Sequence, residues 1–116
     1  MDIIETIDSI LLSALSPLSI KSFYGWYDSN INETHVTFIQ LNDTDTDYAD
    51  DEAESVEYYV QVDIWSKDNM ESLKKTIKTA MKTIDNCTYN QGIDFYETDI
   101  KLYHKALRFY IVEEVD

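Results

Sequence analysis

The order of elements along the chain predicts an α+β fold: a small antiparallel or mixed sheet of four to five strands with two α-helices packed on one face. Three observations carry that expectation. Two segments repeat apolar residues at helical spacing, several others alternate apolar and polar residues at strand spacing, and the order is helix, strands, helix, strands. At 116 residues the chain suits a single domain, 1–116, and 44% apolar residues allow it to bury a core without metals or disulfides.

The first helix lies in residues 2–15. Ile3, Ile4, Ile7, Ile10, Leu11, Ala14 and Leu15 recur at spacings of three and four and form one apolar face. Asp2 and Glu5 stand in its first turn, where the helix dipole favours acids, and Pro17 stops it. Residues 18–27 read as extended, with Phe23, Tyr24, Trp26 and Tyr27 around Gly25. Residues 34–41 are rich in β-branched and aromatic types and predict a strand.

A second strand, 56–65, places Val56, Tyr58, Val60, Val62 and Ile64 on one face and Glu57, Tyr59, Gln61, Asp63 and Trp65 on the other. Asp68 with Glu71 three residues later fits a variant of the capping box at the start of a second helix. Met70, Leu73, Ile77, Ala80, Met81 and Ile84 give that helix its buried stripe, Lys74, Lys75, Lys78 and Lys82 its outer face, and it should end near Asp85-Asn86. Two further strands are expected at about 93–98 and 102–113.

Charge is the unusual bulk property. Nine bases against 23 acids give a net charge of -14, a surface that repels phosphate backbones and excludes ordinary nucleic-acid binding. Residues 43–57 hold eight acids and no base, and between two strands they are expected to form an acidic hairpin loop at about 43–55. Counting Asp43 as the first position, Asp43, Asp45, Asp47, Asp51 and Glu54 fall where a calcium loop has oxygen ligands. Tyr48 stands where that loop needs glycine, and strands flank it instead of helices, so a solvated loop with nonspecific cation binding is the expected reading.

The search for catalysis finds no foothold. His35 and His104 each sit in a strand pattern with no nearby cysteine or second histidine, and Gly25 and Gly92 alone cannot build a phosphate loop. Cys87 excludes an internal disulfide and a cysteine-based zinc cluster, and reads as a passive thiol. No cofactor, catalytic residue or metal is expected. The acidic N-terminus lacks the basic start of a signal peptide, and no apolar run reaches membrane-spanning length; the expectation is a soluble protein made in a cytoplasm.

One stretch resembles a known family. Glu57-Tyr58-Tyr59-Val60-Gln61-Val62-Asp63-Ile64-Trp65-Ser66-Lys67-Asp68, running into a lysine-rich amphipathic helix, is similar to the centre of the tail completion (tail terminator, or tail-to-head joining) proteins of long-tailed bacteriophages. The N-terminal helix and the closing strand of residues 102–112 fit the same order. The resemblance implies an architectural, non-enzymatic protein: a ring, commonly of six copies, at the head-proximal end of the tail, made in the host cytoplasm and carried in the virion. Its partners would be further copies of itself, the tail tube protein and the head connector, and the free subunit can remain a monomer until it meets them. DNA would pass without specific binding, and no membrane is involved.

A ring is heterologous, one patch binding a different patch on the next copy, and Tyr24, Trp26, Tyr59 and Trp65 are the interface candidates. Asp43, Asp45, Asp47, Asp50, Asp51, Glu52 and Glu54 are candidates for an acidic lumen or connector-facing rim. The alternative is an acidic DNA mimic that occupies the DNA site of a basic enzyme, which calls for carboxylates in regular rows.

Overall fold

The first helix, α1 (Ile3–Leu15), begins where Asp2 Oδ1 accepts from the Glu5 backbone N–H at 3.1 Å, satisfying one of the free donors of the first turn. In this computed structural model, which describes residues 2–27, 31, 33–49 and 52–114 (44–49 and 52–54 by backbone course), a 3-10 turn at Ser16–Leu18 holds Pro17 and ends α1. Five strands follow around a second helix: β1 (Lys21–Tyr24), β2 (His35–Ala49), β3 (Glu52–Ser66), α2 (Glu71–Met81), β4 (Cys87–Glu97) and β5 (Leu102–Glu114).

They form one mixed sheet of order β1-β2-β3-β5-β4, in which only β1 and β2 are parallel. The register puts Phe38, Val62 and Leu107 in one cross-strand row, with Val60 and Phe109 in the next and Tyr58 and Ile111 beyond. These residues share one buried cluster with Ile3, Ile7, Leu11 and Leu15 of α1 and Leu73, Ile77 and Met81 of α2. Both helices therefore cover the same face, as the alternation of residues 56–65 predicts.

The acidic segment departs from expectation. It is not a loop: β2 continues to Ala49 and β3 starts at Glu52, with Thr44 opposite Glu57, Thr46 opposite Ser55 and Tyr48 opposite Ala53. Thr44, Thr46 and Tyr48 are strand-forming residues at a spacing of two, and they carry the ladder outward between the aspartates. A 15-residue strand spans ~50 Å, so each strand of this hairpin arm is close in length to the 52 Å long axis of the molecule. Among the described residues the pairing of β3 with β5 ends at Ser55, while Ala53 and Glu52 still pair with β2.

Two smaller corrections concern α2 and β4. The capping box at Asp68 is absent; Met70 is the N-cap residue, and Asn69 Oδ1 accepts from Glu71 N–H at 2.8 Å. Glu71 is drawn away to Lys105, whose Nζ stands 3.0 Å from Glu71 Oε1 and 2.6 Å from Asp94 Oδ1. Desolvation pulls the Lys105 ammonium's pKa down, but its bonds to Asp94 and Glu71 outweigh that and leave it above the ordinary lysine value, while Lys105 holds Glu71 below the ordinary carboxylate range. β4 starts at Cys87, earlier than expected, because Thr88 and Tyr89 extend its pairing with Tyr110 and Phe109.

Candidate functional site

Strand alternation puts a second set of side chains on the face away from the helices. One cross-strand row reads His35, Trp65, His104, Phe95; the next Thr37, Asp63, Ala106, Ile93; the next Ile39, Gln61, Arg108, Gln91. Helices do not cover this side. Gly25, at φ +118°, turns the chain out of β1 while its N–H bonds the Phe38 carbonyl at 2.8 Å, and this lays Trp26 and Tyr27 over the first row. Trp26 meets Trp65 and His104 edge-on, each at 5.5 Å between ring centroids, and Tyr27 lies 4.8 Å from Trp65.

A Cβ at position 25 would meet nothing within 4 Å, so only the backbone conformation demands glycine there. Gly25→Ala is expected to cost about 1–3 kcal/mol through that strained φ alone. Urea unfolding measures the cost, and near-ultraviolet circular dichroism reports whether Trp26 leaves the row.

His104 is buried among aromatic rings on this face. Trp65 stacks on its ring at 3.8 Å and an interplanar angle of 11°, with Phe95 at 5.4 Å. Its Nε2 stands 2.5 Å from Asp63 Oδ1 and its Nδ1 3.3 Å from Glu97 Oε1. Carboxylate oxygens only accept, so each contact is a hydrogen bond when that nitrogen carries its proton.

Asp63 Oδ1 also accepts from Gln61 Nε2 at 2.8 Å, and Gln61 Oε1 in turn accepts from Arg108 Nε at 3.0 Å. Trp65 Nε1 donates to Thr37 Oγ1 at 3.0 Å. The result is a chain Arg108–Gln61–Asp63–His104–Glu97 laid across three strands. Two buried atoms on this face have no hydrogen-bond partner among the described residues, Asp63 Oδ2 and His35 Nε2. His35 Nδ1 donates to the Glu33 carbonyl at 2.9 Å.

Between His104 and Arg108 the strand presents only Ala106 on this face, and a depression of about 190 Å³ opens over it, with Trp26, Phe95, Ile93, Gln61 and Glu97 around it. The sequence does not announce this group: Asp63 and His104 lie 41 residues apart, and only the pairing of β3 with β5 brings them together. The two histidines, which sequence spacing leaves apart, stand in one row on either side of Trp65.

The four interface candidates separate. Trp65 is 2% exposed and belongs to the buried layer, so its place among them is corrected. Tyr59 is half-buried, packed on Tyr110 at 5.4 Å, with its hydroxyl donating to Glu57 at 3.1 Å. That bond, then slight burial and the Glu57 charge, push the Tyr59 phenol's pKa up. Tyr24 and Trp26 are exposed at 52% and 54%.

Both margins of the sheet are open among the described residues. β1 pairs only with residues 35–38 of β2, and β4 has β5 alone as neighbour. Phe23, Tyr24 and Leu41 are exposed near the first margin, and Phe95, Tyr96 and Tyr103 near the second.

The acidic candidates lie on the arm. Asp43, Asp45 and Asp47 fall on β2, and Glu52 and Glu54 on β3; Asp50 and Asp51 lie outside the described residues. Alternate residues of a strand stand ~6.8 Å apart, whereas calcium gathers six or more oxygens at ~2.3–2.6 Å. A run of Asp43, Asp45 and Asp47 along a strand thus lacks the closed curve of a calcium loop. Among the described residues no group of three His, Cys, Asp or Glu is placed to hold a metal.

Cys87 is half-buried at the start of β4, and burial pushes its thiol up to about 11. Very little thiolate is then present at pH 8. A disulfide reagent such as DTNB should modify the folded protein at least about 10-fold more slowly than the urea-unfolded chain.

Comparison of the chain with protein-family models and with curated proteins finds no match.

Proposed function

We propose that this chain is a virion assembly protein of a long-tailed bacteriophage, forming the tail completion or terminator ring at the head-tail junction without catalysis. The observation that supports this best is the pair of unlike open margins on one sheet. A strand edge with unpaired N–H and C=O groups is an invitation to another chain, and natural proteins usually blunt it with lysine or proline. β4 is 11 residues long and contains neither. Exposed aromatics accompany both margins, and the two differ in strand direction and composition. Unlike patches on opposite sides of a subunit suit head-to-tail contact, which closes into a ring.

The resemblance of residues 57–68 to that family also acquires local physical content. Trp65 closes the buried layer, and Ser66 Oγ accepts from Asp68 N–H at 3.0 Å where the strand turns toward α2. The acidic arm is the candidate for the lumen or the connector-facing rim, where carboxylates keep DNA from adhering. His104 has carboxylates at both ring nitrogens, which leaves neither free to take a proton from a substrate and favours a structural role.

One observation favours the DNA-mimic alternative. A strand spaces Asp43, Asp45 and Asp47 at regular intervals, which is the kind of row a mimic needs. Adding the purified protein to growing tail tubes of the cognate phage decides between the two. Tubes capped at fixed length by a terminal ring, seen by electron microscopy, establish the terminator. Uncapped tubes, with tight binding to a basic DNA-processing enzyme, establish the mimic. Arms found on the outer rim of assembled tails would remove them from the lumen.

A further inference from the structure

Arg108 is the only arginine of the chain, among 23 acids. Among the described residues it joins no ion pair, and its one hydrogen bond runs from Nε to the neutral Gln61. Gln61 is itself anchored on buried Asp63, so the guanidinium is held from one side while both Nη groups stay unengaged among the described residues. It lines the depression over Ala106. The small methyl of Ala106 and the side chain of Ile93 form the floor, and Trp26 and Phe95 supply apolar walls at the other end.

We propose that this depression binds a carboxylate carried on a short apolar or aromatic body, with Arg108 as the anion-binding residue. A guanidinium presents a planar fork that matches a carboxylate with two parallel bonds, and here the fork is oriented before the ligand arrives. The volume of about 190 Å³ admits a group the size of one side chain. Orientation follows from Glu97, which lines the depression and whose Oε1 sits at His104 Nδ1, four residues of β5 from Arg108. Those four residues span about 13 Å between Cα positions along the strand. A ligand carboxylate is repelled at the Glu97 end and held at the Arg108 end, with its apolar body over Ala106 and beside Trp26. This site does not depend on the ring reading.

The same chemistry is offered by a free small acid and by an acidic polypeptide segment, and two probes separate them. Phenylacetate is titrated into the full chain with tryptophan fluorescence as readout, since Trp26 borders the site. A Kd on the order of 1 mM is expected of so small a ligand. Arg108→Gln should weaken binding about 10-fold or more, and Ala106→Leu should abolish it by filling the depression while Arg108 remains. Urea unfolding of each variant identifies any that has lost its fold, and the other then carries the test.

Equal binding of uncharged 2-phenylethanol would overturn the proposal, as would unchanged affinity in both folded variants. The second probe is a synthetic peptide of residues 43–54. Its binding, lost in the same variants, assigns the site to an acidic segment of another chain. Binding of phenylacetate alone assigns it to a free acid. If neither binds, the proposal fails.

Discussion

Replacing Trp65 by alanine is expected to cost about 3–5 kcal/mol of folding stability, the largest effect of any single change on the open face. The indole is 2% exposed and stacks on His104 at 3.8 Å, under Tyr27 and the edge of Trp26. Its removal empties the centre of the layer that stands in for helices on this side. It also deprives Thr37 Oγ1 of its donor. Trp65→Phe keeps a ring against His104 and forfeits the N–H, and should cost about 1–2 kcal/mol. Trp26→Ala, at a ring that is 54% exposed, should cost about 1 kcal/mol or less. Urea unfolding of the three variants gives the order directly. Equal losses for Trp65→Ala and Trp26→Ala would mean that the segment after β1 does not cover this face as described.

Asp63→Ala should destabilise by about 3 kcal/mol or more, because breaking a buried pair leaves its partners behind. His104 Nε2 and Gln61 Nε2 both lose a buried acceptor. The loss then passes along Gln61 to Arg108. Asp63 is costly in itself, since its Oδ2 is buried with no partner among the described residues. Removing both ends of the pair therefore should hurt less than the sum of the single changes. The cycle of Asp63→Ala, His104→Phe and the double variant measures this, and a coupling of about 1–3 kcal/mol is expected. Additive costs would show that Asp63 and His104 do not act on each other, and the chain from Arg108 to Glu97 would lose its central link.

Much of the fold is legible in the sequence because burial on one face leaves a periodic trace. The isoleucines and leucines of residues 3–15 and the valines of β3 repeat at the spacing their elements require. The arm is not read correctly because its charges mask a weaker signal, the alternation of Thr44, Thr46 and Tyr48. Residues 43–55 carry no apolar alternation of the kind that marks the valines of β3. Residue type places Trp65 among the interface candidates, because a strand pattern does not say what covers its second face. The cover comes from Trp26 and Tyr27, some 40 residues earlier.

By itself, then, the sequence determines the α+β class, the two helices on one face, the face of β3 that meets them and an excess of negative charge beside an aromatic-rich chain. These depend on local periodicity and composition, which neighbouring residues carry together. Only the tertiary structure decides the strand order, the length of the arm, the burial of Trp65 and the meeting of Asp63 with His104 and of Arg108 with the depression over Ala106. Each of those rests on register between distant strands, and a shift of one residue would turn every side chain involved to the opposite face.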